Sequence, residues 1–347
     1  MIFLIRKLKE EKQLSLEEYE MLISRFSPEI AMYAAKEARE VRQETYQNKV
    51  FIRGLIEISN ICKNDCYYCG IRRSNGNCER YRLTKEEILN SCEKGYELGF
   101  RTFVLQGGED PYFKDDILCD IVSAIRSNFP DCAITLSMGE RSKESYEKLY
   151  RAGANRYLLR HETADKWHYE TLHPSQMSFE NRMQCLKDLK EIGFQVGCGF
   201  MVGSPGQTSY ELAKDLKFIE EYKPHMCGIG PFIPHKDTKY KEEVSGSIEL
   251  TCYLLSLIRL LHPSILLPAT TALATLDEKG REKGILAGAN VVMPNLSPKS
   301  VRSKYELYNH KISNGQEAAE GLEELKKRMK KISHEIVIHR GDYHGSL

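Results

Sequence analysis

An alternation of short apolar runs with amphipathic helical patterns constrains the fold of this chain more than any other feature. Eight runs rich in β-branched residues predict strands, at 50–58, 102–106, 133–137, 155–160, 195–200, 226–230, 266–270 and 290–293. Helical patterns lie between them, at 84–98, 114–128, 142–152, 179–192, 209–222, 249–261 and 279–287. Strands that alternate with helices form parallel sheets, and eight such units in roughly 250 residues are the size of a closed barrel. We therefore predict an α/β fold with a complete (β/α)8 TIM-type barrel. A doubly wound open sheet is the alternative that counting leaves open.

Polar helical segments flank this alternation. Residues 1–48 carry two or three helix patterns that we expect to pack outside the barrel, and 317–332 predicts a C-terminal helix. Glutamates precede lysines at helical spacing in the latter, which is typical of a solvated helix face. The predicted parts are a helical extension at 1–48, a barrel at 49–312, and a C-terminal helix and tail at 313–347. We expect His334, His339 and His344 to lie on a surface tail.

The composition is that of an ordinary globular protein and argues against several classes. The chain has 347 residues, 50 basic and 49 acidic side chains, a net charge of +1 and 41% hydrophobic residues. This hydrophobic content argues against disorder, and the balanced charge gives no net field that attracts nucleic acid or an anionic membrane. The apolar runs are too short for a signal peptide or a bilayer span. The cysteine number, 11, is odd and fits reduced thiols, so we expect a cytoplasmic protein.

Three cysteines carry the strongest chemical signal. Cys62, Cys66 and Cys69, spaced C-x3-C-x2-C, follow the first predicted strand at its carboxyl end, which is where barrel enzymes build their sites. Three thiolates can bind three corners of a cubane [4Fe–4S] cluster and leave one iron open to a ligand. A structural zinc needs a fourth ligand, and the nearby Cys78 lacks the paired spacing; chance packing is the other alternative. The sequence favours the open iron–sulfur site over both.

The triad, with Tyr68 directly before its last cysteine, resembles the cluster motif of the radical S-adenosylmethionine (SAM) superfamily. In that superfamily the amino and carboxylate groups of SAM chelate the open iron, and one electron from the cluster cleaves SAM to give a 5′-deoxyadenosyl radical. The resemblance implies one [4Fe–4S] cluster on the three cysteines, SAM as a second cofactor, and an external electron donor.

Other strand ends carry residues that the same resemblance assigns to SAM. Gly107 and Gly108 end the second predicted strand, and paired glycines allow a backbone to approach a ligand closely. Glu162 extends the alternation of the fourth strand at the barrel rim and is implied to accept the ribose hydroxyls. The remaining residues assigned to SAM are Tyr68, Gln106, Ser137, Arg182, Met201 and Ile229.

Arginines share the inward face of two predicted strands. Arg156 and Arg160 alternate with Leu158, and Arg53 shares the alternation of the first strand. Parallel strands are normally apolar on both faces, and a buried, unpaired guanidinium is costly. These arginines therefore predict an anionic ligand in the barrel mouth, or an ion pair with Glu57 or another carboxylate. The candidate substrate contacts are Arg53, Thr135, Arg156, Arg160, Thr270, Thr271 and Tyr305.

Longer blocks narrow the resemblance to the HydE family of radical SAM [FeFe]-hydrogenase maturases. They are 80–84, 105–112, 157–163, 178–182, 228–235 and 268–272, and the resemblance covers most of 45–310. It implies action on a cysteine-bound iron complex that carries carbon monoxide and cyanide, on the way to the diiron subcluster of the hydrogenase. It also implies other hydrogenase maturases as partners. Some members bind a second cluster through three further cysteines, but 304–332 contains none, so we expect that cluster to be absent.

Three other functions remain as alternatives. Methylornithine synthase shares the segment 108–112, and its amino-acid substrate is one that the same arginines can bind. Biotin synthase holds a second cluster inside its barrel, and Cys132 and Cys198 fall near the appropriate strands. Each is one residue out of register, which turns it to the opposite face. The last alternative is a metal-stapled scaffold without catalytic activity.

Overall fold

The computed structural model describes residues 1–313 and 318–343 and has a parallel sheet at its centre. The strands are β1 (Lys49–Ile52), β2 (Gly54–Ser59), β3 (Thr102–Gly107), β4 (Ala133–Ser137), β5 (Arg156–Leu158), β6 (Gln195–Cys198), β7 (Met201–Val202), β8 (Met226–Cys227), β9 (Gly230–Pro231), β10 (Val291–Val292) and β11 (Glu335–Val337). Six form one sheet in the order β2-β3-β4-β5-β6-β8, and two smaller sheets have the orders β10-β1-β11 and β7-β9. All six residues of β2 are buried, as expected for a strand covered on both faces.

Isolated parallel bridges continue the six-stranded sheet into a ring. Met226 of β8 pairs with Leu266, Pro268 pairs with Val291 of β10, and Asn295 pairs with Leu55 of β2. Eight strand positions therefore surround one core, as in a TIM-type barrel, and the predicted fold class is confirmed. The seventh predicted strand, 266–270, forms bridges but no ladder, because Pro268 has no N–H to donate.

Helices cover the outside of the ring. They are α1 (Ile2–Glu11), α2 (Leu16–Ser24), α3 (Pro28–Tyr46), α4 (Lys85–Glu97), α5 (Asp115–Asn128), α6 (Lys143–Arg151), α7 (Lys166–Leu172), α8 (Phe179–Ile192), α9 (Ser209–Tyr222), α10 (Ile248–Leu261), α11 (Thr271–Leu276), α12 (Gly280–Leu286), α13 (Lys299–Arg302) and α14 (Leu322–Lys331). Each helix predicted between strands agrees with its counterpart to within one residue at either end. α4 shows why: Glu87 N–H donates to the Thr84 hydroxyl at 3.2 Å, and the Glu87 carboxylate accepts the Thr84 N–H at 2.8 Å. This reciprocal cap fixes where the helix begins.

The N-terminal helices pack on the outside of the barrel. α3 contacts α10 and α2 contacts α9, and the Tyr19 hydroxyl donates to the Glu220 carboxylate at 2.9 Å. Among the residues that the structure describes, none of the helices combines the length and apolarity needed to cross a membrane.

The segment after α14 returns to the amino end of the barrel. β11 pairs in parallel with β1, the Thr102 hydroxyl donates to the Arg340 carbonyl at 2.7 Å, and Asp342 lies 2.7 Å from the Arg156 guanidinium. Thr102 and Arg156 begin β3 and β5, so this tail closes the amino end. A three-residue strand is too short to give a periodic signal, and the sequence did not predict it.

The histidines near the C-terminus have different environments. His334 is buried, and its Nδ1 atom lies 2.6 Å from the Ile332 carbonyl, so the expected surface position is wrong for it. His339 is exposed and its ring lies 5.7 Å from that of Phe51. His344 lies outside the described residues.

Candidate active site at the carboxyl end of the barrel

A cavity of about 330 Å³ lies inside the carboxyl end of the barrel. Its walls come from the loop after β2, the carboxyl ends of β3 to β5, the residues around β9, and the stretch 305–311 after α13. The sequence-predicted residues that line it are Cys62, Cys66, Tyr68, Cys69, Gln106, Gly107, Gly108, Ser137, Arg160, Glu162, Arg182, Met201, Thr270, Thr271 and Tyr305. The structure thus brings most of the predicted site residues to one face.

Backbone contacts hold the loop that carries the cysteines. Lys63 N–H donates to the Glu109 carbonyl at 2.9 Å, and Gly70 N–H donates to the Leu307 carbonyl at 2.8 Å. A Cβ atom on Gly108 would lie 2.3 Å from the Ile61 carbonyl oxygen. Gly108 is therefore needed for the close approach of this loop to the end of β3.

The three thiols of Cys62, Cys66 and Cys69 face the same cavity. Burial raises the pKa of the Cys69 thiol to about 12, and burial with the charges of Cys69 and Cys62 raises the pKa of Cys66 well above its usual value. Within 1–313 and 318–343, no three His, Cys, Asp or Glu side chains already surround one metal position. The donor set still fits a cluster, because three cysteine sulfurs line one cavity and cysteine thiolates are the ligands that hold iron–sulfur clusters.

Polar atoms on the opposite wall lack partners. Among the described residues, Arg160 Nε and Nη2, Glu162 Oε2 and Thr270 Oγ1 are buried without a hydrogen bond. Arg160 Nη2 and Glu162 Oε2 lie 3.2 Å apart as an ion pair, but the two groups are not aligned as donor and acceptor. Buried polar groups are normally satisfied, so this wall fits a polar ligand.

Arg182 supports this wall from α8. Its Nη1 atom donates to the Arg160 carbonyl at 2.7 Å, and its Nε atom donates to the Glu140 carboxylate at 2.5 Å. Arg182 is buried and lines the cavity. It therefore orients the chain at Arg160 and presents positive charge to the cavity.

A buried His161–Asp215 pair, which the sequence did not indicate, holds the turn that presents Glu162. His161 Nε2 lies 3.1 Å from Asp215 Oδ1, and His161 Nδ1 accepts the Gly199 N–H at 3.3 Å. Burial lowers the pKa of His161 to about 3, so the imidazole is neutral. Glu162 has φ +66°, a conformation that side-chain-bearing residues seldom adopt without support.

His173 is a second residue that sequence reasoning missed. Its Nε2 atom lies 3.3 Å from the Tyr68 hydroxyl, and its Nδ1 atom lies 2.9 Å from the Tyr169 carbonyl. A carbonyl only accepts, so Nδ1 carries the proton and Nε2 accepts the Tyr68 hydroxyl. No sequence spacing links positions 68 and 173; only the fold brings them together.

Four predicted site residues lie away from the residues described as lining the cavity. Arg156 is bonded to the tail through Asp342 and the Gly341 carbonyl, at 2.7 and 3.1 Å. The anionic partner of Arg156 is therefore a carboxylate of the protein and not a ligand, which is the second of the two interpretations that the sequence leaves open. Arg53 donates to Met226 Sδ at 2.9 Å at the same end of the barrel. Thr135 pairs with Arg156 on the neighbouring strand, and Ile229 is buried between β8 and β9.

The cysteines considered for a biotin synthase site also lie apart from the cavity. Cys132 and Cys198 are fully buried. Cys198 lies opposite Cys227 in the parallel register of β6 and β8. A Cβ atom added to its neighbour Gly197 would lie 2.7 Å from the side chain of Leu158, in the cavity wall. Cys198 therefore faces outward toward the helices, as its register predicted.

Comparison with known proteins gives consistent results. A family model for the radical SAM superfamily matches residues 56–219. The chain is 48% identical over 277 residues to the [FeFe] hydrogenase maturase subunit HydE of Thermotoga maritima, which covers 80% of this chain and 79% of that protein. It is 31% identical to 3-methylornithine synthase of Methanosarcina acetivorans, covering 82% and 81%. The crystal structure of methylornithine synthase (PylB) superposes with a TM-score of 0.83 at 26% identity, covering 96% of this chain and 97% of that one.

Proposed function

Since this chain belongs to the HydE family of [FeFe]-hydrogenase maturases, within the radical SAM superfamily, we propose that it is a radical SAM enzyme of H-cluster assembly. Its proposed substrate is a cysteine-bound iron complex that carries carbon monoxide and cyanide. The observation that carries this proposal is the 48% identity over four fifths of the chain, combined with a cavity that the predicted cofactor residues line.

The thiols of Cys62, Cys66 and Cys69 are proposed to hold one [4Fe–4S] cluster. When bound, the cluster and SAM supply a one-electron reductive cleavage that yields a 5′-deoxyadenosyl radical. Glu162 accepts the ribose hydroxyls, since its Oε2 atom is buried and, in the part of the chain that is described, accepts no hydrogen bond. The other proposed SAM contacts are Tyr68, Gln106, Gly107, Gly108, Ser137, Arg182 and Met201.

The substrate is proposed to lie between Arg160 and the stretch 305–311. Arg160 Nε and Nη2 and Thr270 Oγ1 offer buried donors that no described residue satisfies. A carboxylate or a cyanide nitrogen accepts such donors, and satisfying a buried donor recovers its desolvation penalty. Thr271 and Tyr305 add hydroxyls to the same wall. Leu158 and Phe232 exclude water, which protects a reactive radical from side reactions.

The proposal requires two kinds of protein partner. Another hydrogenase maturase supplies the iron complex, and a one-electron donor reduces the cluster. The near-neutral net charge of the chain gives no indication of a nucleic-acid partner.

The cluster is tested with protein reconstituted anaerobically with iron and sulfide. Cys66→Ala is compared with Cys119→Ala, whose thiol is half-buried on α5 outside the cavity lining. With dithionite as the one-electron reductant, we expect wild type and Cys119→Ala to bind iron, show an electron paramagnetic resonance (EPR) spectrum that SAM changes, and form 5′-deoxyadenosine. Cys66→Ala loses all three. Undiminished 5′-deoxyadenosine formation by Cys66→Ala contradicts the proposal.

A mutase that acts on an amino acid, like methylornithine synthase, is the second candidate. The 31% identity and the TM-score of 0.83 favour it. The two functions differ in what stimulates SAM cleavage. We expect 5′-deoxyadenosine formation to depend on the cysteine-bound iron complex; dependence on lysine instead would establish the mutase.

A further inference from the structure

The cavity has a second charged position that neither the cluster nor SAM is proposed to use. Glu57 of β2 is fully buried in the cavity wall, and Lys311 reaches it from the stretch 305–311. Lys311 Nζ and Glu57 Oε1 lie 2.6 Å apart, and the lysine side chain is only 7% exposed. β2 and β5 are separated by β3 and β4 in the sheet, so this pair lies across the cavity from Arg160.

Polar groups surround the Glu57–Lys311 pair. Glu57 Oε2 accepts the Asn295 side-chain N–H at 2.9 Å. The Lys311 ammonium lies 5.1 Å from the centre of the Tyr305 ring, and Gln106 Nε2 donates to the Tyr305 hydroxyl at 3.4 Å. One wall of the cavity therefore combines a carboxylate, an ammonium, a hydroxyl and amide groups.

Stability is a weak reason for such a pair. Removing two charges from water offsets most of their attraction, so a buried ion pair is often no better than apolar side chains of the same size. The pair also lines a cavity, and Lys311 belongs to the stretch 305–311 after α13, so a ligand that separates the two charges displaces Lys311 and not the barrel core. Its position points to ligand binding.

We propose that Glu57 and Lys311 bind the amino-acid backbone of the substrate, with the ligand carboxylate on Lys311 and the ligand amine N–H on Glu57. A ligand with one carboxylate and one amine inserts between the two residues and leaves no net charge buried. A simple anion or cation would leave one residue uncompensated, which is costly. An amine donates N–H both as a free ammonium and when coordinated to a metal, so the site suits a cysteine-bound iron complex. This inference rests on the proposed function for the choice of an amino-acid-derived ligand.

The probe for this site is S-methyl-L-cysteine, whose thioether replaces the metal-binding thiol. Binding is measured by anaerobic calorimetry on the cluster-loaded enzyme with saturating SAM and no reductant, so that no turnover occurs. We expect the methyl ester of the probe and 3-(methylthio)propionate, which lacks the amine, to bind at least about tenfold more weakly, because each leaves one buried charge without its partner.

Four variants separate binding from folding. Lys311→Met and Glu57→Gln are each expected to weaken binding of the probe at least about tenfold, and Lys311→Arg to retain most of it. The double variant Glu57→Gln/Lys311→Met leaves no unpaired charge, so a purely structural pair predicts that it recovers wild-type affinity. The proposal predicts that it stays as weak as the single variants.

Lys304→Met is the matched control, because Lys304 precedes the same stretch and pairs with the exposed Glu79. It is expected to bind the probe like wild type. Wild-type affinity in the double variant, or no probe binding by the wild type, overturns the inference. The effect of SAM on the EPR spectrum is recorded separately, on chemically reduced portions of the same protein preparations with and without SAM. A cluster that does not respond to SAM overturns the proposed function, whereas the probe isotherm decides the Glu57–Lys311 assignment.

Discussion

Arg156 and Arg160 lie four residues apart, but the two ends of the barrel use them differently. At the amino end, Arg156 is fully buried and donates to Asp342 and to the Gly341 carbonyl. At the carboxyl end, Arg160 Nε and Nη2 have no hydrogen-bond partner among the described residues. Hydrogen bonds within the protein satisfy Arg156, whereas Arg160 forms an ion pair with Glu162 at 3.2 Å and leaves two donors without a hydrogen bond in the described part of the chain. An arginine on a predicted strand therefore does not by itself identify its partner, because Arg156 meets a carboxylate of the chain, Arg53 meets the sulfur of Met226, and Arg160 faces the cavity.

Arg156→Met is expected to have the largest effect on stability. It leaves Asp342 and the tail carbonyls without their donor, and removing one partner of a buried ion pair lowers the free energy of unfolding by about 3 kcal/mol. Urea unfolding monitored by circular dichroism measures this change. SAM affinity of the folded variant is expected to equal that of wild type, because Arg156 lies outside the cavity lining.

Arg160→Met is the matched control at the other end. Its side chain is 35% exposed, so the free energy of unfolding is expected to change by less than about 1 kcal/mol. Equal destabilisation by Arg156→Met and Arg160→Met would show that the two ends of the barrel do not differ as described.

Glu162→Gln is expected to have the next largest effect, and on ligand binding instead of stability. The variant keeps the shape of the side chain but removes the charge that strengthens hydrogen bonds from ribose hydroxyls. We expect SAM affinity to fall about tenfold, measured by titration of the SAM-induced EPR change. Glu140→Gln alters the carboxylate that pairs with Arg182 and is expected to weaken SAM binding less than Glu162→Gln, which separates the ribose contact from an indirect effect through that arginine. Unchanged SAM affinity in Glu162→Gln would exclude the proposed ribose contact.

The Asp342–Arg156 pair predicts a pH dependence that comes from the amino end. Burial acts to raise the pKa of Asp342, but the Arg156 charge outweighs it and holds the pKa below its usual value. A depressed folded-state pKa contributes stability that is present above the unfolded-state pKa, about 4, and is lost as the pH falls through the folded-state value. Asp342→Asn is expected to lower the free energy of unfolding by about 1 kcal/mol at pH 7, since the carboxylate is 25% exposed and partly screened.

The difference between wild type and Asp342→Asn is expected to shrink in urea unfolding series below pH 4. A difference that stays constant from pH 7 to pH 3 would mean that Asp342 acts through packing and not through its charge. Asp131→Asn is the control, since its carboxylate pairs with Arg101 but is 49% exposed.

The fold could be predicted because its signals are local. Helix patterns such as 179–192 match the structure at both ends, because capping residues and apolar spacing fix helix boundaries. The strand at 266–270 was harder, because Pro268 interrupts its ladder. β11 has three residues, and it is held by pairing with β1 more than 280 residues earlier in the chain. Such pairing leaves no pattern in the neighbouring sequence.

The site was predictable where its residues follow strand ends and less so where contacts join distant segments. Cys66 and Glu162 each follow a strand at its carboxyl end, and barrel topology brings such positions together. Asp215 lies on α9, and only the fold places it beside His161. The alternation of residues along the strand correctly placed Arg156 on the inward face of the barrel. It did not show which end of the barrel the side chain lies at, and Arg156 lies at the amino end, where it meets the tail.

Tyr68→Phe is expected to have the smallest effect and tests how far the contacts around the cavity reach. The Tyr68 hydroxyl donates to His173 Nε2 at a long distance, 3.3 Å, while the edge-on contact of the two rings, 5.5 Å between centres, does not need the hydroxyl. Loss of one long, neutral hydrogen bond is expected to weaken SAM binding about twofold. Burial lowers the pKa of His173 to about 3, so the twofold effect is expected to be the same at pH 6 and pH 8.

Tyr67→Phe is the control. Its ring lies at the neighbouring position and contacts Lys239 instead, so SAM affinity should be unchanged. If Tyr68→Phe lowers SAM affinity more than about tenfold, the Tyr68 hydroxyl contacts SAM itself. The role of His173 would then be to orient that hydroxyl.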